Sequence, residues 1–189
     1  FMKIRQLFCL SLIAAVLAVA PLAFQAQDPA LTLENIYSKR AFGQRGFGPV
    51  RWLKDSRGYS TVESNRTTGG REIIRYDAAT GDRTVLVSAK QLVPAGGTTP
   101  LEIADYIWSD DNSQLLVFTN TKKVWRYNTR GDYWVLNLRS GKLQQLGKGL
   151  DASSLMFAKF SPDGTRVGYV SKQNIYIEDI ASGNIREIT

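Results

Sequence analysis

The stretch of this chain best equipped to handle a ligand is Val124-Trp125-Arg126-Tyr127-Asn128-Thr129-Arg130-Gly131-Asp132-Tyr133-Trp134. A guanidinium offers five donors in a planar fork, a shape suited to fixing a carbonyl or a carboxylate. Trp125 and Tyr127 flank Arg126, and aromatic faces hold such a side chain by stacking. The same arginine would also serve as the structural ion-pair partner of a neighbouring Asp or Glu, so residue type alone leaves both roles open.

Other chemistries are excluded by what the chain lacks. It has no histidine, and Cys9 is its one cysteine. A Ser-His-Asp triad needs an imidazole to take the serine proton, and His-ligated metal sites need its ring nitrogen. No catalytic residue, no metal site and no cofactor is therefore expected within these residues. Glu63, Glu72, Glu102, Glu178 and Glu187 show no paired spacing for acid–base work, and Asp110-Asp111 belongs to a turn. Arg130-Gly131-Asp132 spells an adhesion tripeptide but falls where a strand begins. The glycines of Phe42-Gly43-Gln44-Arg45-Gly46-Phe47-Gly48-Pro49 have no strand before them and no helix signal after them. That reads as a loop rather than a phosphate cradle.

The elements that must position Arg126 follow one local pattern, written three times. An aromatic ends a strand, an Asp-containing turn follows, then a strand, then a Gly-centred hairpin. The aromatics are Trp52, Trp108 and Phe160, at steps of 56 and 52 residues, and the later glycines are Gly81, Gly141 and Gly183, at steps of 60 and 42. Short strands in a supersecondary unit of that period indicate a β-propeller.

The first unit reads as strands over 50–53, 59–63, 71–76 and 83–87, and the second as 106–108, 114–119, 132–136 and 143–146. The third reads as 156–160, 166–170, 175–179 and 185–188. Between the second and third strands of the middle unit, Asn120 to Gly131 is longer than a hairpin requires and reads as an excursion carrying Arg126. Ser88 to Pro100 reads as an irregular polar connector. The fold class is all-β, about three four-stranded antiparallel blades of a larger ring, following a signal peptide. One four-stranded sheet cannot bury either face alone, so three blades are expected to be an incomplete piece of such a ring.

Lys3 and Arg5 precede the apolar run from Leu7 to Ala20, which is the pattern of a secretory signal and is short for a transmembrane helix. The expected division is a signal peptide over 1–26, an amino-terminal arm over 27–48 and blades over 49–189. Ala23 and Ala26 are the candidate last residues of the signal. The location expected is periplasmic or secreted, or membrane-anchored if the signal stays uncleaved. In the arm, Leu31 to Tyr37 is amphipathic over one or two helical turns, with Thr32 as cap. Without Lys3 and Arg5, the 24 basic residues still exceed the 17 acidic ones, by 5. They are scattered along the chain, with only Lys39-Arg40 and Lys122-Lys123 adjacent, which argues for a solvated face and against nucleic-acid binding.

Three passages, Leu31-Thr32-Leu33-Glu34-Asn35-Ile36-Tyr37, the Val124 to Trp134 run and Phe160-Ser161-Pro162-Asp163-Gly164, resemble in this order the amino-terminal region of the dipeptidyl peptidase IV family. The resemblance covers everything after the signal. The Ser-Pro-Asp-Gly turn is shared by many propellers, whereas the Trp-Arg pair just after the second unit's second strand is far more specific. The resemblance implies an eight-bladed propeller followed by an α/β-hydrolase domain, in a serine exopeptidase that removes amino-terminal dipeptides with Pro or Ala second. It implies that Arg126 reaches the substrate chamber and hydrogen-bonds a substrate carbonyl. Partners so implied are peptides with a free amino terminus and the hydrolase domain of the same protein, with a homodimer also allowed. The glutamates that hold the free amino group, the Gly-x-Ser-x-Gly elbow, the aspartate and the histidine are implied to lie beyond Thr189. A second reading, from another class, is a periplasmic propeller of the TolB type that only binds proteins.

Overall fold

The computed structural model describes residues 31–43, 48–67 and 69–189. The signal expected over 1–26, Cys9 with it, lies outside the described residues, as do 27–30 of the arm and 44–47 of the glycine-rich passage. The chain forms two compact units, one ending at Gly46 and the other starting at Phe47. In the first, Glu34–Ser38 is a single π-helical turn closed by Lys39 N–H donating to Glu34 O at 2.8 Å. Thr32 caps it: its Oγ1 accepts from Asn35 N–H at 3.1 Å.

Among the described residues the second unit holds twelve strands in three four-stranded antiparallel sheets. The first contains β1 (Val50–Trp52), β2 (Gly58–Ser64), β3 (Arg71–Asp77) and β4 (Arg83–Val87). The second contains β5 (Asp105–Trp108), β6 (Gln114–Val124), β7 (Tyr127–Asn137) and β8 (Leu143–Gln145). The third contains β9 (Met156–Phe160), β10 (Arg166–Ser171), β11 (Asn174–Asp179) and β12 (Ile185–Glu187). Each sheet is a meander in chain order. Trp52, Trp108 and Phe160 each close the first strand, and each pairs with the second residue of the next, Tyr59, Leu115 and Val167.

The middle sheet explains why its sequence runs apolar without alternation. Leu115, Leu116 and Val117 are consecutive and all buried. Leu115 and Val117 join Val62, Ile73, Val87, Leu92 and Ile103 in a core shared with the first sheet. Leu116 points the other way, with Tyr133 and Val135, onto Ala158, Val167 and Tyr169 of the third. A strand buried on both faces is written as a continuous apolar run, each such side chain contributing roughly 1.5–3 kcal/mol. Trp108 packs on the first core and Phe160 on the second, so each aromatic rests against the preceding blade. Trp52 occupies the same place in the first blade and is 67% exposed. The stacked sheets form an open, partial β-propeller.

Polar contacts fix the angle between neighbouring blades. Arg51 donates from Nη2 to both carboxylate oxygens of Asp105, at 2.7 and 2.8 Å, and from Nε to Tyr106 O at 3.2 Å. Ser60 Oγ lies 2.8 Å from Tyr106 Oη and accepts from Trp108 Nε1 at 2.9 Å. Between the second and third blades, Gln114 Nε2 donates to Gly164 O and Gln144 Nε2 to Ile180 O, at 2.8 and 2.7 Å.

Two sequence readings need correction. The connector over 88–100 is not wholly irregular: Ala89–Leu92 forms a 3-10 turn. Gln91 Oε1 accepts from both Ser88 N–H and Ser88 Oγ–H at 3.0 Å, while Leu92 is buried in the first core. The strands flanking the excursion, read as ending at 119 and starting at 132, run on into it: β6 and β7 keep pairing as far as Val124 and Tyr127.

Candidate functional site: the hairpin that carries Arg126

The β6–β7 hairpin starts as part of the second blade and then outgrows it. Regular pairing runs from Gln114↔Asn137 to Thr119↔Asp132, after which the register shifts twice, before and after Lys122↔Arg130. At the first shift Asn120 and Thr121 together face Gly131 alone, which is a β-bulge, and Asn120 takes a left-handed φ of 44°. Asparagine tolerates that conformation because its side chain can bond locally. Here Asn120 Nδ2 donates to Asp132 Oδ2 at 2.7 Å.

The third blade's lead-in clamps this bulge. Ser153 N–H donates to Asp132 Oδ1 at 2.6 Å and Ser153 Oγ–H to Asn120 O at 2.7 Å. Gly131 and Leu155 exchange backbone bonds at 3.0 and 3.1 Å. A Cβ on Gly131 would meet Phe118 Cε2 at 2.4 Å and Thr119 O at 2.6 Å, so only glycine fits. Arg130-Gly131-Asp132 is thus a structural joint: its glycine is there for packing and its aspartate for a backbone donor.

Beyond the joint the hairpin is mostly exposed. Val124↔Tyr127 is its closing pair, and Trp125-Arg126 is a two-residue turn. Such turns require positive φ at the first position when built as type II′, normally with glycine there. Trp125 holds that place at φ 62° and is 87% exposed. A bulky residue in the left-handed region is an outlier, and strain kept at an exposed tip points to function. The indole also does something glycine cannot. The Arg126 guanidinium carbon sits 5.0 Å from the Trp125 ring centroid, a cation–π contact that orients the fork without using its donors.

Among the described residues, no carboxylate pairs with Arg126. The interblade ion pair that the sequence left open for it is made by Arg51 and Asp105 instead. The glutamates lie apart in different roles. Glu63 accepts from Arg83, Glu187 from Tyr176 and Asn174, and Glu178 is buried between blades, accepting from Gly147 N–H at 2.8 Å and Tyr169 Oη at 3.0 Å. Burial raises the Glu178 carboxyl above its ordinary value in spite of those two donors. No group of acidic residues that could hold a metal ion occurs among the described residues.

Residues 109–189, which contain the whole hairpin and the third blade, match the family model described as the dipeptidyl peptidase IV (DPP IV) N-terminal region. The probable dipeptidyl-aminopeptidase B of Aspergillus oryzae is 27% identical over 148 residues, 78% of this chain and 16% of that protein. The Coccidioides posadasii protein of the same name is 31% identical over 88 residues, 44% of this chain and 9% of that one. Over its second and third blades the chain is similar to the N-terminal region of the dipeptidyl peptidase IV family. It spans about a sixth of the length of the Aspergillus oryzae relative. In fold it is similar to the crystal structure of Porphyromonas gingivalis dipeptidyl peptidase 4, with a TM-score of 0.67 at 24% identity over 84% of this chain and 22% of the other.

Proposed function

We propose that this dipeptidyl peptidase IV-type propeller region is the non-catalytic leading part of an exported serine dipeptidyl peptidase, and that Arg126 is its substrate-binding residue. On this reading the complete protein removes amino-terminal dipeptides with Pro or Ala second. The propeller admits peptides with a free amino terminus and presents them to an α/β-hydrolase domain of the same protein. The basic n-region and the apolar run from Leu7 to Ala20 support export to the periplasm or beyond.

The observation that carries the proposal is the state of Arg126. It is exposed at the tip of an outgrown hairpin, braced by Trp125 and without a carboxylate partner among the described residues, so its donors are available to a ligand carbonyl. A charge-assisted hydrogen bond to such a carbonyl is worth roughly 1.5–3 kcal/mol, or about ten- to a hundredfold in kcat/KM. Arg126→Ala in the complete protein is expected to lower kcat/KM on a Gly-Pro substrate by that factor, with stability held within about 1 kcal/mol. Arg126→Lys should recover only part of the loss, since an ammonium lacks the fork. Unchanged kcat/KM together with a large loss of stability would make Arg126 a structural residue and end the proposal.

A further inference from the structure

The hairpin that displays Arg126 also walls a cleft that the reading above does not use. Its volume is about 350 Å³, and Lys122, Lys123, Arg130, Asp151, Ser154 and Lys172 are among its lining residues. Only one acid is present, and it is taken: Asp151 lies 2.9 Å from Lys172. Lys122, Lys123 and Arg130 have no ion-pair partner among the described residues. Lys122 and Arg130 moreover stand directly opposite each other in the ladder, an arrangement that is unfavourable for like charges.

The backbone places these cations along one edge of the cleft. Lys122 and Lys123 are adjacent in β6 and both line it, beside the second register shift, where Thr129 is the extra residue on β7. Across the cleft, Lys172 sits in the two-residue turn Lys172-Gln173 between β10 and β11, with φ values of 49° and 73°. A turn needing two left-handed residues ordinarily takes Asn-Gly. Lys172 finds a return for its positive φ in the ion pair with Asp151, but the repulsion between Lys122 and Arg130 is a cost with no return among the described residues. An anion in the cleft would supply one.

We propose that this cleft binds a carboxylate side chain of a peptide whose amino-terminal part is held at Arg126, a proposal that rests on the substrate-binding reading of that residue. Lys122 is four residues from Arg126, about 13 Å along an extended hairpin, and an extended peptide advances about 3.3 Å per residue. The carboxylate therefore belongs about four residues beyond the carbonyl at Arg126. The protein would favour peptides that are acidic just downstream of the dipeptide.

The test is fluorescence anisotropy on the full chain with two labelled octapeptides, Gly-Pro-Ala-Ala-Glu-Glu-Glu-Ala and its triple-Gln twin. At about 10 mM salt, where screening is weak, the Glu peptide should bind about five- to tenfold more tightly than the Gln peptide, and the difference should vanish by about 0.5 M. K122Q/R130Q should abolish the difference. R139Q/K142Q, which removes the same charge from exposed turns at the other end of the second blade, should leave it within about twofold. Because K122Q/R130Q relieves a repulsion, its melting temperature should not fall, so lost binding cannot be blamed on unfolding. Equal binding of the two peptides, no measurable binding of the Glu peptide at low salt, or an equal effect of the two double variants would overturn the cleft. Arg126→Ala separates the two readings. If it weakens both peptides while Glu and Gln bind alike, the cleft fails alone; if it weakens neither while discrimination persists, Arg126 fails alone.

Discussion

At one end of the three blades the chain turns six times in two repeated ways, while at the other end no two turns are alike. The repeated end holds the turns β1–β2, β5–β6 and β9–β10. In these, Asp55, Asp111 and Asp163 accept from the backbone N–H two residues on, at 3.0, 3.0 and 3.1 Å. The residue after each aspartate is left-handed: Ser56 at φ 55°, Asn112 at 56° and Gly164 at 69°. It also holds β3–β4, β7–β8 and β11–β12, where Gly81, Gly141 and Gly183 donate to the carbonyl four residues back at 2.8–2.9 Å. The variable end holds a six-residue connection over 65–70, the outgrown hairpin and the Lys172-Gln173 turn. Left-handed positions at the repeated end fall to small residues; at the variable end Gly69 and Asn120 are joined by Trp125, Lys172 and Gln173. The lesson is a division of labour: one end repeats its turns with small residues at the left-handed positions, and the other tolerates left-handed backbone at bulky, exposed residues.

The largest break in this contrast should come where the variable hairpin leaves the regular blade. Gly131→Ala forces a methyl group against the Phe118 ring and Thr119 O, and Phe118 is itself stacked on Tyr133 at 4.6 Å. Overpacking of this kind in a joint bonded on both sides should cost about 3 kcal/mol in urea denaturation. A loss under about 1 kcal/mol would mean the hairpin is not anchored through this joint.

Two substitutions of similar size and opposite sign test the division itself. At the repeated end, Gly141 has φ 70° with open space where a Cβ would go, so Gly141→Ala meets only backbone strain. It should lose about 1 kcal/mol of stability and leave peptide affinity unchanged. At the variable end, Trp125→Gly should gain about 1 kcal/mol by relieving the same strain, yet weaken peptide binding by freeing Arg126 from its brace. Thermal melting and anisotropy on both variants read the two signs. Should Trp125→Gly lose stability, the exposed indole is part of the fold rather than strain held for display.

The repeated end was legible in the sequence because its bonds are local. An aspartate that accepts from the residue two further on, and a glycine left-handed four residues past its partner, write themselves into short motifs. The outgrown hairpin was not legible as strand. Asn120-Thr121-Lys122-Lys123 and Asn128-Thr129-Arg130-Gly131 have no apolar alternation, and their pairing is held by Ser153 and Leu155 from the next blade. Arg51–Asp105 was missed for the same reason, since nothing local marks a pair 54 residues apart. The Ala89–Leu92 turn could have been found from Ser88 and Gln91, which have the spacing of a capping box. At the candidate site, the residue types around Arg126 were readable. The positive φ of Trp125 and the register shifts beside the lysines were not, because they depend on the closing pair and the register rather than on composition.

The smallest effect, and the one that separates surface turn from buried interface most cleanly, is the response to pH. Hydrogen bonds from Ser113, and from Ser161 and Thr165, hold the carboxyls of Asp111 and Asp163 down at about 2, below the ordinary 3.8. Their contribution is present above pH 3.8 and lost as pH falls through about 2. Glu178 has the opposite sign. It is 2% exposed, and burial lifts its carboxyl above the ordinary 4.5. Below 4.5 the folded and unfolded states are both protonated and nothing is lost. As pH rises past 4.5 the unfolded chain ionises first, and the fold weakens until the buried carboxyl has ionised too. For these groups alone, stability peaks between pH 3.8 and 4.5. Melting temperatures across pH 2–7 should therefore show two limbs with separate owners. Glu178→Gln keeps an oxygen for Gly147 N–H and Tyr169 Oη, so it should flatten the upper limb only. Asp163→Asn should reduce the lower limb, to which Asp111 also contributes, while leaving the turn intact, because a neutral amide oxygen can also accept from turn N–H groups, as Asn137 does from Arg139 and Ser140 in the β7–β8 turn. An upper limb that survives Glu178→Gln would show that the buried carboxyl between the blades is not the group that titrates there.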